Sequence, residues 1–121
     1  MSKKMKILIT GSRSITDKEL VFSILDKEIK KDDIIIHGGA RGSDSIVKEY
    51  CNEKGNCCVV VRPIDPENGI YYLHRNAEMV GMCDRVIAFW DERSRGTKFT
   101  IDYAKKRKLE VKVYFTKHVQ S

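Results

Sequence analysis

The stretch Ile34-Ile35-Ile36-His37-Gly38-Gly39-Ala40-Arg41-Gly42-Ser43-Asp44-Ser45 decides how the chain is read. Three consecutive β-branched residues make a strand buried on both faces. The residues that follow cannot pack a core. They carry glycine, hydroxyl, one arginine and one carboxylate, and then Ile46, Val47, Tyr50 and Cys51 recur at helical spacing up to Gly55. A buried strand, a glycine-rich turn and an amphipathic helix are half of a strand–helix–strand unit.

The same grammar repeats on both sides. Upstream, Lys6–Thr10 reads as a strand, and Thr16-Asp17-Lys18-Glu19 reads as a capping box with Thr16 as the cap. Leu20, Val21, Ile24, Leu25 and Ile29 then mark the inward face of a helix. Downstream come a strand over Cys57–Arg62, turn material over Pro63–Gly69, a helix over Ile70–Gly81 and a strand over Arg85–Trp90. A polar loop, Asp91–Gly96, leads into a helix over Thr97–Lys108, and Val111–Phe115 closes the order. Lys112 interrupts that last run and marks it as an edge strand. Strict alternation predicts an α/β fold: a Rossmann-like, three-layer α/β/α arrangement around a parallel sheet of about five strands. The 121 residues read as one domain spanning 1–121, without linker or repeat.

Composition narrows the setting. The mix of 41% apolar and 33% charged residues is that of a soluble globular protein. No apolar run approaches the ~20 residues of a membrane span, and the first residues lack the features of a secretory leader. A cytoplasmic protein with no membrane partner is expected. Cys51, Cys57, Cys58 and Cys83 form no C-x-x-C pair and are expected to be small buried hydrophobes. Neither they nor His37, His74 and His118 match metal-ligand spacing, so no metal is expected. The net charge of +6 gathers at Lys3-Lys4-Lys6, Lys30-Lys31 and Lys105-Lys106-Arg107-Lys108. These read either as solvated helix ends or as an attraction for anions.

In a parallel sheet of this kind, ligands bind outside the carboxyl ends of the strands. The loops there are Gly11-Ser12-Arg13-Ser14, Gly38 to Asp44, and Asp91 to Thr97. Each combines glycine, hydroxyl and arginine. Exposed N–H groups, helix N-termini and guanidinium groups are the means of holding phosphate. The candidate ligand-binding residues are Gly11, Ser12, Arg13, Gly38, Gly39, Ala40, Arg41, Gly42, Ser43, Asp44, Arg75, Trp90, Asp91, Ser94, Arg95, Gly96 and Thr97. Arg75, within His74-Arg75-Asn76, is the helical candidate for a phosphate or ribose contact; Asn76 could instead bond a neighbouring loop. Trp90 could stack on a base or pack. Asp44 could accept from a ribose hydroxyl or order its loop. The sequence lacks both G-x-G-x-x-G and G-x-x-x-x-G-K-[ST], which argues against ordinary nicotinamide redox chemistry and ATP hydrolysis. No cofactor is required; the expected partner is a nucleotide or nucleotide-derived small molecule.

Four motifs in order, the strand leading to Gly11-Ser12-Arg13, then His37–Asp44, His74–Met79 and Asp84–Thr97, resemble the SLOG superfamily. This is the Rossmann-like group that contains the Lonely Guy phosphoribohydrolases and the DNA-processing protein DprA/Smf. The likeness is greatest to its small stand-alone YspA/YpsA-related branch. The resemblance implies a pocket for a nucleotide or nucleotide-derived ligand at these loops; a homo-oligomer is also expected. The family's enzymes cleave an N-glycosidic bond with an arginine, matched here by Arg75, and a glutamate, at whose position this chain has Thr100. A hydroxyl cannot replace a carboxylate as general base near pH 7. No catalytic residue is therefore assigned, and Thr100→Glu is expected to restore some turnover if Arg75 holds the phosphoribosyl group. A binding protein for a nucleotide-derived molecule is the first reading. An N-glycosidic-bond-cleaving nucleotide hydrolase is the alternative, and DprA-like nucleic-acid binding is the second alternative.

Overall fold

The computed structural model describes residues 4–39, 42–65 and 67–116. Five strands, β1 (Lys6–Gly11), β2 (Ile34–His37), β3 (Cys58–Val60), β4 (Arg85–Trp90) and β5 (Glu110–Phe115), alternate with four helices. These are α1 (Lys18–Glu28), α2 (Ser43–Lys54), α3 (Gly69–Met82) and α4 (Arg95–Lys106). All strand pairs are parallel, in the order β3-β2-β1-β4-β5. The chain winds outward from β1 through β2 to β3, then returns to β4 on the other side of β1. The switch point therefore lies between β1 and β4, where a crevice must open because the flanking connections leave in opposite directions.

The two faces of the sheet carry separate cores. On one, Ile7, Ile9, Ile35, Ile87 and Phe89 meet Val21, Ile24 and Leu25 of α1 and Ile46, Val47, Tyr50 and Cys51 of α2. On the other, Leu8, Ile36 and Val86 meet Met79 and Val80 of α3 and Ala104 of α4. Alternate residues of each strand thus feed opposite layers, as the period of two requires. This is the expected three-layer arrangement. No helix among the described residues is long and apolar enough to cross a membrane.

Several local readings change, while β5 is the edge strand that Lys112 marked. The cap of α1 is Asp17, whose carboxylate accepts from the Leu20 N–H at 3.1 Å, and not Thr16. A carboxylate at the N-terminus also gains from the helix dipole, which a hydroxyl does not. Leu20, expected on the inward face of α1, is 39% exposed. Helix α4 begins at Arg95, two residues before Thr97, because Ser94 caps it through the Thr97 N–H. Of the cysteines, Cys51 and Cys83 are buried, but Cys57 is exposed and Cys58 only half-buried, because β3 is an edge strand. The lysine that breaks the apolar run of β5 is explained at the other edge: Lys112 Nζ lies 2.9 Å from Glu28, which also receives Arg85 at 2.8 Å.

Candidate functional site

A cleft of about 860 Å³ opens at the carboxyl ends of β1 and β4. The loop after β1 contributes Gly11, Arg13 and Ser14; the loop after β4 contributes Asp91, Arg93, Ser94, Gly96 and Thr97. Gly38 and Asp44 reach it from the β2–α2 connection. Helix α3 forms the remaining wall with Asn68, Ile70, Tyr72, Leu73, Arg75, Asn76 and Met79. The three glycine-bearing loops therefore share one edge of the sheet.

Several of the glycines serve the protein's own packing. A side chain at Gly11 would collide with Ser43, and one at Gly38 with the Arg75 guanidinium. Gly42, at φ +74°, would drive a Cβ into the backbone of Arg13. The glycines let three loops close on one another, and what approaches them is first of all protein. Ser12, Gly39, Gly42 and Ser43 accordingly lie behind the cleft and do not line it. Ala40 and Arg41 lie outside the described residues.

Arg75 is the brace of this arrangement. It is only 7% exposed. Its Nη1 donates to the carbonyls of Gly38 (2.6 Å) and Val61 (3.1 Å), and its Nε donates to Asn76 at 2.8 Å. Asn76 in turn donates to the Gly96 carbonyl at 3.5 Å. One arginine and its neighbour so tie the β2 loop, the end of β3 and α4 together. Two of its three nitrogens already have protein acceptors, so it has a structural role, while Arg75 also lines the cleft.

Asp91 plays the same part on the other side. Its carboxylate accepts from the N–H groups of Arg93 (2.8 Å) and Ser94 (2.9 Å) and from the Ser14 hydroxyl (2.7 Å). Its own N–H donates to the Ser12 hydroxyl at 3.1 Å. Burial alone would raise its pKa, but these hydrogen bonds outweigh burial and hold the carboxyl well below its usual range. Asp91 is a fixed anion that joins the β1 and β4 loops; its lone pairs are spent on donors, which suits it poorly to general-base work.

Two expected contact residues face elsewhere. The Trp90 indole N–H donates to the Ser94 carbonyl at 3.0 Å, and its ring rests on Phe115. It braces the loop from behind and offers no face to the cleft. Arg95 is exposed but does not line the cleft. Thr100 is fully buried, and its hydroxyl donates to the Gly96 carbonyl one turn back. It points into its own helix and not into the cleft, so the position matched to the family glutamate has no access to a ligand.

The groups left for a ligand are clear. Arg13 is exposed, its guanidinium 5.3 Å from the Tyr72 ring centre. Arg93, which sequence reasoning missed, is an exposed cation on the cleft wall. At the start of α4 the Arg95 and Gly96 N–H groups have no acceptor among the described residues, while the next two donate to Ser94. The apolar side chains of Ile70, Tyr72 and Leu73 on the cleft wall were also missed, and their spacing along α3 marks no single face that could have announced them. Among the described residues no cluster of His, Cys, Asp and Glu could hold a metal.

Comparison with known proteins agrees with the fold. Residues 5–64 match the model of the YspA, cpYpsA-related SLOG family. DNA processing protein A (DprA) from Streptococcus pneumoniae superposes with a TM-score of 0.80 at 17% identity, over 91% of this chain and 50% of that one. DprA from Helicobacter pylori, whose structure was determined to study its single-stranded DNA binding mode, gives 0.77 at 20% identity, over 97% of this chain and 68% of that one. The chain thus spans half the length of the first and about two-thirds of the second. No curated protein matches the sequence.

Proposed function

The chain belongs to the SLOG family, in its YspA, cpYpsA-related branch, and from that premise we propose that it binds a nucleotide-derived, phosphate-bearing small molecule in the cleft between β1 and β4. One observation carries the reading: two open N–H groups at the start of α4 stand at the edge of a nucleotide-sized cleft that Arg13 and Arg93 also line. Open N–H groups at a helix start carry partial positive charge, and guanidinium groups add bidentate donors. A volume of about 860 Å³ lies within the range of small-molecule sites. The apolar wall of α3, opposite these donors, offers a surface for a base or ribose.

The same geometry supports binding over N-glycosidic cleavage. Asp91 is saturated by donors, and Thr100 is turned into α4. Asp44 already has an interaction partner within the protein. A second reading, a nucleotide unit within single-stranded DNA, draws on the likeness to DprA and uses the same donors.

Calorimetric titration with AMP, GMP and CMP tests the proposal. Arg13→Ala and Arg93→Ala should each weaken binding by about 1.5–3 kcal/mol, the usual worth of a charge-assisted hydrogen bond. Lys106→Ala, at the far end of α4, should change it little. Equal losses from all three would mean diffuse charge and no site. Chromatography of the same mixtures should show no free base.

A further inference from the structure

Arg13 is held at both ends. Its backbone runs between two residues that Asp91 fixes: the Ser12 hydroxyl accepts the Asp91 N–H at 3.1 Å, and the Ser14 hydroxyl donates to the Asp91 carboxylate at 2.7 Å. The Ser12 N–H also donates to the Phe89 carbonyl at 2.9 Å. Gly42 packs so close to the Arg13 backbone that a Cβ there would strike it. At the tip of the side chain, the guanidinium carbon lies over the Tyr72 ring, 5.3 Å from its centre. A contact of this kind uses the positive charge and the electron-rich ring face, not the N–H groups. Among the described residues the Arg13 guanidinium makes no hydrogen bond or ion pair, so its N–H donors are open.

Tyr72 has a firm support of its own. It stands three residues before Arg75 on α3, so the two are neighbours on the helix surface. The Arg75 guanidinium lies over the same ring, 5.2 Å from its centre. Arg75 is in turn fixed by its bonds to Gly38, Val61 and Asn76. Support passes from the buried Arg75 through the ring to the exposed Arg13, and all three residues line the cleft. The Tyr72 hydroxyl makes no hydrogen bond among the described residues, so the ring alone does this. A ring that already carries two guanidiniums is a poor platform for a base; Ile70 and Leu73 remain as apolar wall.

We propose that Tyr72 is a positioning residue that tunes the cleft for a phosphate-bearing ligand by holding the Arg13 guanidinium in place before the ligand arrives. This rests on the reading of the cleft as a nucleotide site. A free, exposed arginine loses rotamer freedom when it grips an anion. One that already rests on a ring has given up much of that freedom and binds the anion more tightly. Tyr72 therefore acts on the phosphate through Arg13, and not on the base.

Two measurements on the full chain test this. The first needs no ligand. Nitrogen-15 relaxation at the arginine Nε should give Arg13 a higher order parameter than Arg95, which is exposed and makes no side-chain hydrogen bond or ion pair among the described residues. Tyr72→Leu should lower Arg13 to the level of Arg95, and Tyr72→Phe should not. The second is calorimetric titration with AMP. Tyr72→Leu should weaken binding about two- to fivefold, the equivalent of an exposed cation–π contact, while Tyr72→Phe should bind as the natural protein does. In an Arg13→Ala background, Tyr72→Leu should have no further effect. A loss that persists in that background would mean that the ring touches the ligand or only supports the fold, and would overturn the proposal. So would AMP binding by a natural protein in which Arg13 is no more ordered than Arg95. Failure of the natural protein to bind AMP while Arg13 is ordered would instead overturn the nucleotide reading, and the phosphate role of Tyr72 with it.

Discussion

At the scale of single residues, Asp91 shows how a side chain can line a site and still belong to the scaffold. Its carboxylate is held by two backbone N–H groups and a hydroxyl. Asp91→Ala should therefore cost about 1.5–3 kcal/mol in urea unfolding at pH 7. The pH dependence has a definite sign. The folded pKa lies below the unfolded value of about 3.9, so the contribution is fully present above that value and is lost as pH falls through the folded pKa. The gap between the natural protein and Asp91→Ala should close below pH ~4; parallel stability curves would deny Asp91 its role. The residue types at the site were legible in the sequence, but their orientation was not. Gly38 signals a close approach without saying that Arg75 makes it, and Asp91 signals a polar loop without saying that its own backbone takes up the charge.

At the scale of elements, the alternation of apolar runs and helical spacing was enough to give strand and helix order. The carboxyl-edge rule then gathered the loops correctly. What escaped was local competition: Asp17 against Thr16 as cap of α1, and Ser94 against Thr97 as the start of α4. Helix α4 shows the consequence for function. Read on the sequence alone, Thr100 stands for a missing carboxylate that could be put back. In the fold it is fully buried and bonded to the Gly96 carbonyl of its own helix. Thr100→Glu would bury an unpaired carboxyl and overfill the helix–sheet contact. It should cost about 3 kcal/mol or more, lowering the melting temperature by roughly 10 °C, without release of base from AMP. A variant that keeps its stability and turns over AMP would refute this placement.

At the scale of the whole molecule, the charge and the cleft are separated. Helices run antiparallel to the strands they connect, so their C-termini lie at the amino edge of the sheet. Lys30 and Lys31 follow α1, and Lys105, Lys106, Arg107 and Lys108 end α4. Both clusters therefore lie at the edge away from the cleft, whose own cations are Arg13, Arg75 and Arg93. Helix α4 has 12 residues, which is about 18 Å at 1.5 Å per residue. That is close to two Debye lengths at 0.1 M salt, so the distal charges are largely screened from a ligand at the helix start. The triple variant Lys105→Glu, Lys106→Glu, Lys108→Glu should accordingly leave the AMP dissociation constant within about twofold at 0.1 M salt. A bound mononucleotide should also lose affinity only gently with salt. A single strand of DNA that tracks the molecule from cleft to basic edge would behave otherwise: each neutralised phosphate adds about 0.7 to the slope of log affinity against log salt. An oligothymidylate titrated over the same salt range, with and without AMP as competitor, separates the two. A shallow slope and displacement by AMP place the ligand in the cleft. A steep slope that the triple variant flattens, with no displacement by AMP, would move the function to the basic edge and overturn the small-molecule reading.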